Sequence, residues 1–256
     1  AEEWAGRSPV WVKAEAAGQV VSLGDIVKGA TEGWWVPEYV IKGDAERGIK
    51  PMAPDLRSVS DLPRYKDVFK DPESPGKGRF LNSPIGWTSG VVNGQKLKAY
   101  GLEKSYVNFQ SGSGAALDAE ISSSIKRGQP VLFYYWSPTP LLGRYKLIQL
   151  QEPAFDASAW GTLTDAKNLN PQPSRSPPST LSIGVSRPFQ QHYPQLVAFF
   201  EKVDLPIDPL NKALADMSEK HLAPRDVTHV FLKEHPDVWK AWLPEDIAAK
   251  VSASLK

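Results

Sequence analysis

The run Val131-Leu-Phe-Tyr-Tyr-Trp136-Ser-Pro-Thr-Pro140 constrains this chain more than any other stretch. Its first six residues are apolar and aromatic, carry no charge and follow Gly128-Gln-Pro130. That composition suits a strand covered on both faces, as in the parallel sheet of an α/β protein. The prolines stop the strand just beyond Trp136, so the indole is delivered to its carboxyl end. In open α/β sheets that end borders the crevice where ligands sit. A second stretch, Asn82-Ser-Pro-Ile-Gly-Trp87-Thr-Ser-Gly90, sets another Trp in a Gly-containing turn after the short strand-like segment Arg79-Phe-Leu81. Taken alone, Trp136 reads as core or as a binding wall. Two Trp-bearing turns together suggest a cage.

Composition narrows the remaining classes. With 256 residues, 41% hydrophobic and 23% charged, the chain can bury one large or two small cores. The net charge is +1 and no segment gathers Lys or Arg, so neither nucleic acid nor an anionic membrane surface is an expected partner. No apolar run approaches the ~18 residues of a membrane span, so no membrane insertion is expected. The absence of Cys removes disulfides, thiolate metal sites and a Cys nucleophile. G-x-S-x-G, H-E-x-x-H and a G-x-G-x-x-G after a strand are all missing, and no carboxylate pair is tied to the aromatic turns. His192, His221, His229 and His235 all fall in the C-terminal third, away from both Trp turns. The aromatic rings are the only concentrated chemistry.

In chain order, residues 1–8 open without a strand of their own, and Pro9 starts a short helix through Trp11. Residues 19–23 and 33–40 read as strands, with Gly24 and Gly29 in the turn between them. Polar residues 44–54 read as a first crossing into a second lobe. A helix follows from Ser60 through Phe69, and another from Val91 to Tyr100. Leu117, Ile121 and Ile125 stand at i, i+4 and i+8, which predicts an amphipathic helix capped by Ser113 and Gly128. Residues 145–150 and 181–185 read as strands. Proline-rich residues 168–180 read as the return crossing, and the chain is helical from Tyr193 onward. Trp34, Trp35, Trp239 and Trp242 are expected to be structural.

The run Gly33-Trp-Trp-Val-Pro-Glu-Tyr-Val40, the turn at residues 82–90, the helix start Gly112-Ser-Gly-Ala-Ala-Leu-Asp118 and Phe133-Tyr-Tyr-Trp-Ser-Pro-Thr-Pro140 together resemble the glycine betaine/proline betaine binding proteins of ABC importers. The resemblance spans essentially the whole chain. It implies an α/β, type II periplasmic binding protein fold: two α/β lobes with a ligand cleft between them. Lobe one would comprise residues 1–46 and 180–256, and lobe two residues 47–179. Because the first cage Trp comes so early, the first lobe is expected to lack its N-terminal part.

The resemblance also implies a site. Trp4, Trp87 and Trp136 would wall a quaternary ammonium group, which cannot donate hydrogen bonds and is held by aromatic faces at about 0.5 to 2 kcal/mol each. The backbone N–H groups of Thr88 and Ser89 would meet a ligand carboxylate. Two departures stand out in the site. The family turn often carries two cysteines, where this chain has Ser83 and Ser89. Some members place a His four residues beyond the first cage Trp, where this chain has Ser8 beside Arg7, so Arg7 becomes a candidate ligand contact. Choline, carnitine and trimethylamine N-oxide enter as alternative ligands. The implied role is a periplasmic or otherwise extracytoplasmic solute-binding component that is not an enzyme, needs no cofactor or metal, and works with an ABC permease. A carbohydrate-type aromatic platform and an enzyme with an unrecognised site are the other classes considered.

Overall fold

The computed structural model describes residues 2–4 and 9–255, with the side chains of residues 2–4 and 9 outside the description. In chain order the elements are β1 (Glu2–Trp4), α1 (Pro9–Ala16), β2 (Val20–Pro37), α2 (Glu38–Lys42), a 3-10 turn (Val59–Tyr65), β3 (Gly78–Asn82), α3 (Thr88–Ala99), β4 (Tyr106–Gln110), α4 (Gly114–Lys126), β5 (Leu132–Ser137), α5 (Pro140–Arg144), β6 (Leu147–Gln149), α6 (Ala157–Leu163) and β7 (Ser179–Ser186). Six helices end the chain: α7 (Arg187–His192), α8 (Pro194–Phe200), α9 (Ile207–Glu219), α10 (Pro224–Glu234), α11 (Pro236–Lys240) and α12 (Glu245–Ser254).

Residue contacts divide the chain into two units. One comprises Ala1–Thr31, Ser137–Arg144 and Pro178–Lys256; the other comprises Glu32–Trp136 and Tyr145–Pro177. The sequence reading drew its boundaries after residues 46 and 179, whereas the contacts draw them after residues 31 and 177 and assign Ser137–Arg144 to the first unit. Residues 44–54 are a turn closed on its own unit rather than a crossing. Asp44 and Ile49 exchange N–H···O=C bonds of 2.8 Å, and the N–H groups of Met52 and Ala53 donate to the Val40 carbonyl. The chain changes unit within β2, between Thr31 and Glu32, where the polar residues continue as strand instead of forming a connecting loop.

The second unit is built on parallel pairing. β3 lies between β4 and β5 and pairs with both in parallel, while the last part of β2 continues the order beyond β5 and carries β6 antiparallel on it. Helices α3 and α4 join β3 to β4 and β4 to β5, the βαβ connection that parallel neighbours require. The uncharged β5 run is buried at Leu132, Phe133, Tyr134 and Tyr135. Trp34 is fully buried and stacks on Phe80 at 4.0 Å between ring centroids. Leu117, Ile121 and Ile125 of α4 are buried as their spacing predicts, and the Ser113 side chain caps the helix by accepting from the Ala116 N–H at 3.1 Å.

One ion pair is buried with this apolar core. Lys96 of α3 donates to Glu152 Oε1 at 2.7 Å, with the two side chains 1% and 3% exposed, and also reaches Ser176 Oγ at 3.2 Å. Tyr100 OH stands 2.9 Å from the same carboxylate oxygen. Burial pushes the Tyr100 phenol well above its ordinary range, and the neighbouring Glu152 charge adds to the effect.

The first unit pairs its strands antiparallel: β7 lies between β1 and the first part of β2. A strand therefore does open the chain, contrary to the sequence reading, because three residues are too few to show alternation. Gly24 and Gly29 do not form a turn. They take φ of +110° and +80° where the β2–β7 register shifts, so two expected elements become one bulged strand of 18 residues. That strand ends at Pro37, and Tyr39 and Val40 belong to α2 rather than to a strand. The core here is smaller, with Val27, Ala30 and Leu181 covered by Ile26, Leu205, Ile207 and Leu210. Helices α5 and α9 approach closely at Gly143, where an added Cβ would lie 2.1 Å from the Asn211 carbonyl oxygen. Asn211 also accepts from the Thr139 N–H at 2.8 Å.

Candidate functional site

The turn after β3 is built for its tryptophan. The Trp87 N–H donates to the Pro84 carbonyl at 3.2 Å, and Gly86 sits inside that turn at φ +91°, a conformation that suits glycine. Trp87 then serves as the N-cap residue of α3 in an extended conformation, with φ −82° and ψ 142°. Its side chain makes no capping bond and is 40% exposed. The ring lies against the start of α4, since a Cβ added to Gly114 would lie 3.5 Å from both Trp87 Cη2 and Cζ2.

Trp136, near the end of β5, brings its ring to Trp87. The centroids are 5.4 Å apart and the planes stand at 60°, an edge-to-face pair. Tyr135 stacks on Trp136 at 4.5 Å and 19°, and Tyr134 lies 6.2 Å from it. Both tyrosines are tied down. Tyr134 OH donates to Glu32 Oε2 at 2.6 Å, and Tyr135 OH to Asp118 Oδ1 at 3.2 Å. Two indoles inclined at 60°, backed by anchored phenols, offer an aromatic corner to a soft cation.

Beside this corner is a helix start. The first N–H groups of an α-helix have no intrahelical acceptor, and they form the positive end of its dipole. In α3 these belong to Thr88 and Ser89, and the first turn contains no acidic side chain. An aromatic wall and an anion-accepting helix start thus follow one another along the chain within three residues. Ser89 Oγ donates to Ser83 Oγ at 2.9 Å, so a hydrogen bond joins the two positions where the family often has cysteines.

The structure therefore brings Trp87, Trp136, Thr88 and Ser89 into one unit. The backbone of Trp4 lies in β1, pairing opposite Leu181, but its side chain and the whole of Arg7 lie outside the described residues. Trp34 and Trp35 are both buried, at 0% and 8% exposed, as is Trp239 at 2%. The sequence reading passed over Tyr134, Tyr135, Glu32, Asn82 and Asn93. The alternation of Tyr134 with Trp136 along β5 was the available signal for the first of these. Among the described residues no cluster of three or more His, Asp or Glu could hold a metal ion, and no helix is long and apolar enough to cross a membrane.

A family model described as the substrate binding domain of an ABC-type glycine betaine transport system matches residues 1–234. The chain is 27% identical over 235 residues to the glycine betaine/proline betaine-binding periplasmic protein of Escherichia coli (strain K12), covering 89% of this chain and 68% of that one. It is 25% identical over 223 residues to the trimethylamine N-oxide-binding protein of Pelagibacter ubique (strain HTCC1062), covering 87% and 67%. Among solved structures, lactococcal OpuAC in its closed-liganded conformation with glycine betaine superposes at a TM-score of 0.62 with 17% identity, covering 95% of this chain and 78% of that one. The ProX protein from Borrelia burgdorferi superposes at 0.61 with 19% identity, covering 97% and 78%. These likenesses establish the type II periplasmic binding protein fold. The chain belongs to the family of substrate-binding domains of ABC-type glycine betaine transport systems, and so is a substrate-binding component rather than an enzyme.

Proposed function

We propose that the chain captures a small quaternary amine, glycine betaine or proline betaine foremost, at the Trp87–Trp136 corner and delivers it to an ABC permease from the periplasm. The observation that carries this reading is the edge-to-face indole pair at 5.4 Å, set directly before the uncapped start of α3. A betaine has two poles, and the corner has a place for each. The methylated ammonium lies against aromatic faces, while the carboxylate accepts from the N–H groups of Thr88 and Ser89 at the positive end of the helix. Trp4 and Arg7 are proposed contacts on sequence grounds, as a third wall and a carboxylate partner. The two contact-defined units are read as the two lobes of the family fold. The names of the Escherichia coli and Pelagibacter ubique relatives support a methylated amine as the ligand class and, for the former, a periplasmic setting.

The test is a thermal-shift and calorimetry panel of glycine betaine, proline betaine, choline, carnitine, trimethylamine N-oxide and neutral sugars. A ligand at 100 times its Kd adds about 2.7 kcal/mol of apparent stability. A rise in Tm with the betaines and none with sugars supports the reading. Silence from every methylated amine overturns it, and a response confined to sugars points to an aromatic platform instead.

A further inference from the structure

Asn82 closes β3 and is fully buried, and its amide is bonded on every side. Oδ1 accepts from the Ser83 N–H at 2.7 Å and from Asn93 Nδ2 at 2.9 Å. Nδ2 donates to the Gly90 carbonyl at 2.9 Å and to Asn108 Oδ1 at 2.9 Å. Asn93 is fixed in turn by the Trp34 indole N–H, which donates to its Oδ1 at 2.8 Å. Trp34 stacks on Phe80, so this relay ends in the core.

The far end of the relay is the first turn of α3. Gly90 is the third residue of the helix, and its N–H donates to the Trp87 carbonyl at 3.0 Å. The same turn carries the N–H groups of Thr88 and Ser89. It is crowded from within, since a Cβ on Gly90 would lie 2.5 Å from Gln110 Nε2, and Gln110 itself donates to the Ser83 carbonyl at 3.3 Å. The turn is thus held by buried side chains behind it, while no side chain caps the end it presents outward. A buried, fully satisfied polar network fixes one geometry, which apolar packing of equal volume does not do.

We infer that Asn82 is a positioning residue that sets ligand specificity. It holds the first turn of α3 so that the Thr88 and Ser89 N–H groups converge on a carboxylate, favouring ligands with an ammonium and a carboxylate over ligands with an ammonium alone. This rests on the proposed role of the Trp87–Trp136 corner. Because the hydrogen bonds of Asn82 run to Ser83, Gly90, Asn93 and Asn108 and not to Trp87 or Trp136, its effect should follow the carboxylate and not the ammonium.

Calorimetric titration of the whole chain with glycine betaine and with choline tests it, on the wild type, Asn82→Ala and Asn108→Ala. Asn108 is exposed and removes one partner of Asn82 while leaving the Gly90 bond in place. Asn82→Ala is expected to weaken glycine betaine by about tenfold or more and choline by no more than about threefold, the difference matching loss of hydrogen bonds to a charged group. Asn108→Ala is expected to leave the ratio of the two affinities unchanged. If Asn82→Ala does not fold, Asn93→Ala must show the same split at smaller size. Equal loss for both ligands in the folded variants, or no loss, overturns the inference while leaving the corner intact. A wild type that binds neither ligand overturns the proposed function first and this inference with it. If the wild type binds glycine betaine alone, a tenfold loss in Asn82→Ala against none in Asn108→Ala is the supporting result, and parallel losses overturn it.

Discussion

The two indoles of the corner are held by opposite means. Trp136 stands in a strand, flanked by Tyr135 stacked at 4.5 Å and Tyr134 at 6.2 Å, on a β5 whose other residues are all buried. Trp87 stands in a turn, 40% exposed, and its position is dictated by the backbone bond to Pro84, by Gly86 and by the polar relay through Asn82. Packing fixes the first, and directional hydrogen bonds fix the second. Packing spreads its support over many weak, non-directional contacts, whereas a hydrogen-bonded turn depends on a few partners, each costly to lose once buried. A ligand with an apolar, cationic pole and a polar, anionic pole calls for both kinds of support.

The largest expected effect tests the polar side. Lys96 lies on α3, the helix that Trp87 begins, and is paired with Glu152 where both are almost fully buried. Replacing Lys96 by Met strands the carboxylate, and breaking a buried pair in this way costs about 3 to 5 kcal/mol. Urea unfolding should show it. The double variant Lys96→Met, Glu152→Leu should recover most of the loss. If the single variant unfolds like the wild type, the helix does not depend on the pair and the comparison loses its polar half.

Next come the two tryptophans themselves. Either one replaced by Ala should weaken betaine binding at least about a hundredfold, since the loss of a desolvated aromatic face is compounded by water entering the corner. Their stabilities should differ. Trp136→Ala removes a half-buried ring packed on two tyrosines, for about 2 kcal/mol, and Trp87→Ala removes a ring that is 40% exposed, for about 1 kcal/mol. Equal losses in chemical denaturation would show that the turn indole supports the core after all.

Much of the packed half of this comparison was legible in the sequence, and little of the hydrogen-bonded half was. An uncharged aromatic run ended by prolines can hardly be anything but a buried strand, and β5 is one. Leu117, Ile121 and Ile125 between Ser113 and Gly128 mark α4 because spacing and caps agree. By contrast α3 starts at Thr88 rather than Val91, because Thr-Ser-Gly has weak helix propensity and Trp87 caps without a side-chain bond. The bulged β2 was read as two strands because Gly24 and Gly29 look like turn residues until a partner strand is present. Asn82, Asn93 and Trp34 are joined across 11 and 59 residues of chain, and Lys96 and Glu152 across 56, and no local pattern announces such pairings.

A disulfide at the Ser83 and Ser89 positions would sharpen the contrast from the stabilising direction. Their hydroxyl oxygens are 2.9 Å apart, which brings the side chains close enough for cysteines to be joined with modest adjustment. Closing so short a loop is expected to add about 2 kcal/mol when oxidised, by restricting the unfolded chain. The oxidised double variant should melt higher than its reduced form and bind glycine betaine at least as tightly. A crosslink that forms and loosens binding would mean that the turn must move for the ligand to enter.

The smallest effect isolates the turn's backbone. Gly86 lies at φ +91° with nothing within 4 Å of where a Cβ would stand, so Gly86→Ala meets no steric neighbour and strains only the main chain. The expected cost is about 1 kcal/mol, the penalty of a left-handed conformation for an L-residue. That strain has two outlets. If the Asn82 relay is the stiffer element, the turn keeps its shape, the protein loses the full amount in stability, and betaine affinity is unchanged. If the turn yields instead, Trp87 rotates away from Trp136, stability is preserved and affinity falls by about fivefold, the same free energy appearing in binding. Denaturant midpoints and titration of the one variant decide between them. The relay's four bonds around a buried Asn82 predict the first outcome, and a loss seen wholly in affinity would show that the hydrogen-bonded turn is softer than the packed strand facing it.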